Sequence, residues 1–471
     1  MLSKSKNNSY GKLLSWILRH RPDAFDLEMD ANGWVEVSSL LDALDASVNH
    51  PSISKDELVF VIESDSEDRF GLSKCGNKVR CRQGHSVGHV KSMEMNKPER
   101  FIKVFHGTSK ENYEKIKIDG AIKSMGRNEV HMHTNLSKAV KSGSRYGEPV
   151  VLEVDTQSAN DEGIEFKISE NGVWLADEIP TKFIRERCSL DVNVALGSDF
   201  HIEEALVFQS KRSQRRFIGE CLTFPDLPKG TDILVLAGDI CELKKIDLYR
   251  RLLDHYVVKV EHIVVVCGNH EFWGGSYQSG LEKLEILKEE YPNVHFLENE
   301  EVNIYGIRIF GATMWCNYDH DTYLMSQMNT SYSTVKNAPL DAKRIKWRNK
   351  YGGTSKGKAE HLYILNKKSV KALESFLTTV DSKDRALLVS HFPLVSDKVR
   401  VADLPYDWAG TDLEMFKGKE NLQMAHGHLH CKGSYVNQLG QNVWLNPRGI
   451  VNIHRPIGEE PENYSLIKFA I

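Results

Sequence analysis

The chain lacks a C-x-x-C pair, an apolar leader, a membrane-length apolar run and any surplus of charge of one sign. Its eight Cys (75, 81, 188, 221, 241, 267, 316 and 431) show no zinc-type spacing, so neither a thiolate metal site nor a disulfide framework is expected. Residues 1–12, MLSKSKNNSYGK, have no secretory core, and no segment approaches the roughly 18–20 apolar residues that span a bilayer. A cytoplasmic protein with no membrane partner is the expectation. The 61 Lys+Arg against 65 Asp+Glu exclude a generally basic nucleic-acid coat. Up to residue 187 the balance is 27 to 29, and beyond it 34 to 36, so any RNA phosphate must be met by local cations. With 14 Pro, no Pro/Gly linker and no repeat, domain boundaries must come from changes of pattern, and 471 residues leave room for two or three domains.

The first such pattern is a helix stripe, Leu13, Leu14, Ile17 and Leu18, ending near Pro22. An Asn32-Gly33 turn follows, then helices over Val37–Leu44 and Ser54–Ile62, the second opened by a Ser54/Glu57 capping box. A polar hairpin pairs Arg69–Leu72 with Val79–Arg82, and helices followed by a hairpin suggest a winged-helix-like lobe over 1–98. Residues 99–187 turn strand-rich, with Ile102–Phe105, Val150–Val154, Ile164–Ile168 and Val173–Leu175, giving an α+β N-terminal half.

From 188 to 471 the grammar is that of a layered α/β domain. Five apolar runs, Val192–Leu196, Ile233–Leu236, Ile263–Val266, Leu387–Val389 and Leu422–Ala425, each end in a polar cluster, the arrangement in which buried strands deliver a site at their C-terminal ends. The clusters hold His, Asp and Asn without Cys, a donor set suited to hydrolytic metal chemistry and indifferent among Mn, Fe, Zn and Ni. Two ions about 3.5–4 Å apart need a bridging carboxylate and several further ligands. Asp199, His201 and His430 are expected on one ion, Asn269, His391 and His428 on the other, and Asp239 between them. His270 remains to contact a substrate phosphate or protonate a leaving oxygen. Asp199-x-His201, Gly238-Asp239, Gly268-Asn269-His270-Glu271, His391 and Gly427-His428-Leu429-His430 together resemble the calcineurin-like metallophosphoesterases. That resemblance implies an αββα sandwich that hydrolyses phosphomonoesters or phosphodiesters.

Cationic clusters mark the first half: Arg19-His20, Arg80 to Ser86, Arg127 and Arg145. Arginine forks converging on one point would hold a terminal phosphate. The segments Leu18-Arg19-His20-Arg21-Pro22, Gly33-Trp34-Val35, Val79-Arg80-x-x-Gln83-Gly84-His85-Ser86, His106-Gly107-Thr108, Met125-Gly126-Arg127, Arg145-x-Gly147 and Asn171-Gly172-Val173-Trp174-Leu175 resemble the RNA 2′-phosphotransferase family over nearly all of residues 8–184. The resemblance implies an NAD-consuming reaction on RNA that carries a 2′-phosphate, releasing nicotinamide and ADP-ribose 1″,2″-cyclic phosphate. Arg19, His20, Arg80 and Arg145 match the family's phosphate-gripping tetrad. An ADP-ribosyltransferase-like lobe would bind NAD through His106, Gly107, Thr108, Gly126, Arg127 and His131. Two departures lower the positive charge: Glu129 stands where the family has His, and Asp65-Ser66-Glu67 stands where it often has Asn-Asp-Lys.

The fusion suggests consecutive steps, the second domain opening the cyclic phosphodiester that the first releases, or alternatively opening RNA 2′,3′-cyclic phosphate ends. A separate alternative makes the first half an RNA- or nucleotide-binding module attached to the phosphodiesterase.

Overall fold

The opening stripe closes a core of its own: Leu14, Ile17 and Leu18 are fully buried on α1 (Lys4–His20). In the computed structural model the described residues are 4–48, 50, 52–65, 68–90, 96–187, 191–203, 224–317, 340–395, 409, 411–430, 432–448 and 464–471. They fall into two compact units, Met1–Leu190 and Asp191–Ile471. In the first, α1 packs with β1 (Val35–Glu36), α2 (Val37–Asp45), α3 (Lys55–Glu63) and the hairpin of β2 (Phe70–Leu72) and β3 (Lys78–Cys81). The sheet order is β1-β3-β2, antiparallel, with Val35 opposite Val79 and Phe70 opposite Cys81. The capping box forms, Ser54 Oγ accepting from Glu57 N at 3.3 Å and Glu57 Oε2 from Ser54 N at 3.0 Å.

A second core in the same unit is built from β4 (Lys103–Ser109), α4 (Lys110–Asp119), β5 (Ala121–Lys123), β6 (Val130–Met132), α5 (Leu136–Gly143), β7 (Pro149–Asp155), α6 (Thr156–Asp161), β8 (Lys167–Ile168), β9 (Trp174–Ala176), β10 (Glu178–Pro180) and β11 (Ile184–Glu186). Its sheets run β11-β7-β4, β6-β9-β8 and β10-β5. The expected strand Ile164–Ile168 shrinks to β8. Gly163 turns left-handed at φ +93°, and Ile164 N bonds back to Ala159 O at 3.0 Å, so this amide closes the end of α6 and is lost to a ladder.

The second unit contains β12 (Asn193–Gly197), β13 (Ile233–Ala237), α7 (Ile246–Val257), β14 (His262–Val266), α8 (Tyr277–Glu290), β15 (Val294–Phe296), β16 (Glu300–Ile304), β17 (Ile307–Ala312), α9 (Leu340–Arg344), β18 (Lys346–Arg348), β19 (Thr354–Lys356), α10 (Ala359–Thr379), β20 (Arg385–Ser390), β21 (Leu422–His426), β22 (Gly433–Val436), β23 (Asn442–Leu445) and β24 (Ile467–Ala470). One sheet runs β15-β14-β13-β12-β24 and the other β16-β17-β20-β21-β23-β22, and all five predicted apolar runs lie in their parallel parts. Alternate residues Ala195, Leu234, Leu236, Ile263 and Val265 pack under Tyr249, Leu252 and Leu253 of α7 and Leu284 and Leu287 of α8. On the other sheet Phe310, Leu388 and Met424 pack under Leu373 and Phe376 of α10. The opposite faces, with Leu196, Val235, Val264, Leu387 and Val389, are buried too, so the layers are helix, sheet, sheet, helix. Parallel strands put all five polar loops at one end of the sandwich.

Candidate metal centre and candidate phosphate pocket

The loops after β12, β13, β14, β20 and β21 bring seven expected ligand residues together in the second unit. Asp199, His201 and His430 form one group and Asp239, His391 and His428 another, the potential ligand atoms within each lying within 4.8 Å of one another. Asp239 is central: its Oδ2 lies 3.4 Å from His391 Nε2, 3.8 Å from His201 Nε2 and 4.0 Å from His270 Nε2. His430 Nε2 is 3.3 Å from Asp199 Oδ1 and 3.4 Å from His201 Nε2. Asn269 Oδ1 meets His391 Nε2 at 3.1 Å.

Such crowding demands an unusual backbone. Five of the seven, Asp199, His201, Asp239, His428 and His430, have φ between 42° and 67°, a region that side chains rarely occupy and that marks functional sites. Glycine makes the approach possible. A Cβ on Gly268 would lie 2.1 Å from Asp239 Oδ1, and one on Gly238, itself at φ +86°, 2.4 Å from His391 Nδ1. Glu271 then locks the loops, its carboxylate accepting from Gly268 N at 2.8 Å, Asp239 N at 3.0 Å and Ile240 N at 2.7 Å.

Burial works against every charge here, yet Asp199, Asp239, His270 and His391 hold one another ionised, whereas burial and Asp239 push the Glu271 carboxyl up to about 8. His430, by hydrogen bond and charge, with His391 outweighs burial and brings Asp199 down to about 2. His391, His270 and His201 likewise hold Asp239 well below the carboxylate range. In return Asp239 and Asp199 lift His391 to about 10, and Asp239 and Glu203 lift His270 to about 9. Buried carboxylates facing imidazoles match the donor set of divalent metals, and His201 Nδ1, His270 Nδ1 and Glu203 Oε1 are buried there without a hydrogen-bond partner. The residues therefore fit a metal centre.

The first unit gathers its cations around one loop. Arg19 and His20 close α1; Ser86 N donates to Arg19 O at 3.0 Å, and Ser86 Oγ lies 2.9 Å from His20 Nδ1. Arg80, on β3, is almost wholly buried and lies 4.4 Å over the Trp34 ring. Asn128 N bonds His85 O at 3.2 Å, tying the Arg127 loop to the first core. Burial, Arg19 and Arg145 lower Arg127; burial, Arg19 and Arg127 lower His20. Burial followed by Arg127 also depresses His106 and His131, so the tetrad and the expected nucleotide residues share one cationic neighbourhood. His85 is driven down to about 4 by burial, Arg19, His20 and Arg80. Thr108 is buried under α5, whereas Gly126 and Arg145 are exposed.

Two family comparisons decide what these sites belong to. Residues 5–178 match the RNA 2′-phosphotransferase, Tpt1 / KptA family, and residues 193–432 match the calcineurin-like phosphoesterases. The chain belongs to both families. A probable RNA 2′-phosphotransferase of Pseudomonas fluorescens is 35% identical over 185 residues, covering 39% of this chain and 99% of that one. Another, of Acaryochloris marina, is 37% identical over 176 residues, covering 37% of this chain and 94% of that one. Among solved structures, a phosphopantetheinyl hydrolase from Mycobacterium tuberculosis aligns at a TM-score of 0.40 and 17% identity, over 55% of this chain and 90% of that one. The chain is thus an enzyme with a transferase and a hydrolase half, and among the described residues no helix is long and apolar enough to cross a membrane.

Both halves contain residues that motif reading missed. In the phosphoesterase unit Glu203 groups with His201 and His270, its Oε1 3.9 Å and 3.7 Å from their Nδ1 atoms. Asn446, directly after β23, donates Nδ2 to Leu196 O at 2.7 Å and accepts Ser198 N on its carbonyl at 3.1 Å, bracing the Asp199 loop. In the phosphotransferase unit Glu170 accepts from Arg80 Nη2 and Arg82 Nη1, one oxygen each. The two departures differ in fate. Glu129 pairs with Lys167 Nζ at 3.0 Å, and Glu67 lies outside the described residues.

Proposed function

We propose that residues 1–187 are a catalytic NAD-dependent RNA 2′-phosphotransferase domain, with a winged-helix-like lobe over 1–98 and an ADP-ribosyltransferase-like lobe over 99–187. Residues 188–471 are a dinuclear phosphodiesterase domain that acts on its product. A 2′-phosphate oxygen attacks the ribose carbon bearing nicotinamide, which leaves with the bond electrons. The neighbouring ribose hydroxyl then attacks phosphorus, the RNA 2′-oxygen leaves and takes a proton, and ADP-ribose 1″,2″-cyclic phosphate is released. Arg19, His20, Arg80 and Arg145 grip the phosphate and stabilise its charge in the second step. His106, Gly107, Thr108, Gly126, Arg127 and His131 position NAD.

One observation carries the phosphotransferase reading: the N–H donors Arg19 Nε and Nη2 and Arg80 Nε are buried without hydrogen-bond partners in the cationic neighbourhood that also depresses His85. Each such donor costs about 1–3 kcal/mol unless something accepts from it, and a phosphate supplies three acceptor oxygens. Glu129, one of the two departures, is neutralised by Lys167 and so does not stand as a free negative charge.

In the second domain Asp199, His201 and His430 would hold one divalent ion, Asn269, His391 and His428 the other, and Asp239 both. Such a pair supplies a water acidified to hydroxide near neutral pH. His270, stacked on Trp273 with ring centroids 3.5 Å apart, is held where it can meet a substrate phosphate or protonate a leaving oxygen. Water then cleaves one P–O bond of the cyclic phosphodiester, leaving a linear ADP-ribose phosphate.

Nicotinamide release from NAD that requires RNA with a 2′-phosphate tests the first domain, and its absence from the wild-type chain would refute the catalytic reading. For the second, Asp239→Asn is expected to abolish hydrolysis of bis(p-nitrophenyl) phosphate and leave nicotinamide release intact.

A further inference from the structure

One buried carboxylate beside the metal centre has no motif to announce it. Asp341, on α9, is 8% exposed, and its Oδ1 accepts from two donors at once: Asn269 Nδ2 at 2.9 Å and Trp273 Nε1 at 2.8 Å. A carboxylate oxygen offers no proton, so only the amino end of the Asn269 amide can face it. That fixes the other end, Oδ1, toward His391 Nε2 at 3.1 Å. The second donor sets the indole plane on which the His270 ring lies, 3.5 Å centroid to centroid and 24° from parallel. Arg344 of the same short helix covers that indole, its guanidinium carbon 5.3 Å from the ring centroid, and Arg344 O accepts Gly274 N at 3.0 Å.

We propose that Asp341 is the positioning residue of the hydrolase site, holding Asn269 with its carbonyl oxygen turned toward the metals and Trp273 as the floor beneath His270. The role rests on the dinuclear reading of this centre. Without the carboxylate the amide of Asn269 loses the acceptor that holds its amino end away from the centre, and that amino end cannot bind a cation. Side chains that orient ligands in this manner typically matter by about 10–100-fold in metal affinity.

The test is Mn²⁺ binding to the full-length chain, by titration and by metal content after desalting, beside kcat and KM on bis(p-nitrophenyl) phosphate. Asp341→Ala should weaken binding of one of two ions by about 10–100-fold. Asp341→Asn, neutral but still an acceptor, should restore affinity to within a few-fold of wild type. Trp273→Phe, which keeps a ring under His270 but loses the indole donor, should bind two ions normally and lose kcat several-fold at unchanged KM. Wild-type affinity in Asp341→Ala would overturn the proposal, as would Asp341→Asn failing as badly as alanine, because the effect would then be charge alone. A Trp273→Phe variant with full kcat would remove the His270 half of the role. A wild-type chain that takes up no Mn²⁺ would overturn the dinuclear reading itself.

Discussion

Arg80 combines contacts that a lysine could not: its plane stacks over Trp34, its Nη2 donates to Glu170 and its Nε stays buried without a hydrogen-bond partner. Arg80→Ala is therefore expected to slow formation of dephosphorylated RNA by on the order of 100-fold or more, the scale of losing one charge-stabilising donor in the second step. Arg80→Lys should recover little of it, and a single-turnover assay with 2′-phosphate RNA reads both. His85 gives the same pocket a pH signature. Its folded pKa is about 4 against an ordinary 6.5. Above pH 6.5 both states are neutral and nothing is gained. As pH falls below 6.5 the unfolded chain takes a proton that the folded chain refuses, so stability drops until about pH 4, by up to about 3 kcal/mol. Melting in phosphate-free buffer should fall less steeply across that window in His85→Gln than in wild type. Equal slopes would remove His85 from the account.

At the scale of elements, the site is made by close approach. Gly107 sits on β4 where α5 crosses it, and a Cβ there would lie 1.6 Å from Ala139 O. Backbone cannot yield that distance, so Gly107→Ala should cost the first unit at least about 3 kcal/mol. Calorimetry should show an earlier transition while bis(p-nitrophenyl) phosphate hydrolysis survives at room temperature. The same geometry explains what the sequence discloses. Strands β12, β13, β14, β20 and β21 are readable because a buried parallel strand is a continuous apolar run, and their loops because ligand chemistry clusters within a few residues. Asp341 is invisible to that reading, since it reaches Asn269 across 72 residues from a five-residue helix with no periodic pattern. Glu203 and Glu170 are single carboxylates whose partners are chosen by folding. The overlong strand at Ile164–Ile168 fails for a local reason, a helix end at Gly163 that apolar periodicity does not encode.

For the molecule as a whole, near-neutral charge and two chemically distinct sites imply separable reactions. In the proposed scheme the first reaction would use arginines and NAD, and the second would need metal ions. A chelator should therefore silence the hydrolase and spare nicotinamide release. The most direct measurement is product analysis of the full-length chain given 2′-phosphate RNA and NAD, with and without chelator. Dephosphorylated RNA and nicotinamide are expected in both cases, with linear ADP-ribose phosphate when metal is present and the 1″,2″-cyclic phosphate accumulating when it is removed. Accumulation of the cyclic compound in the presence of metal, while the same preparation hydrolyses bis(p-nitrophenyl) phosphate, would contradict the coupling of the two domains.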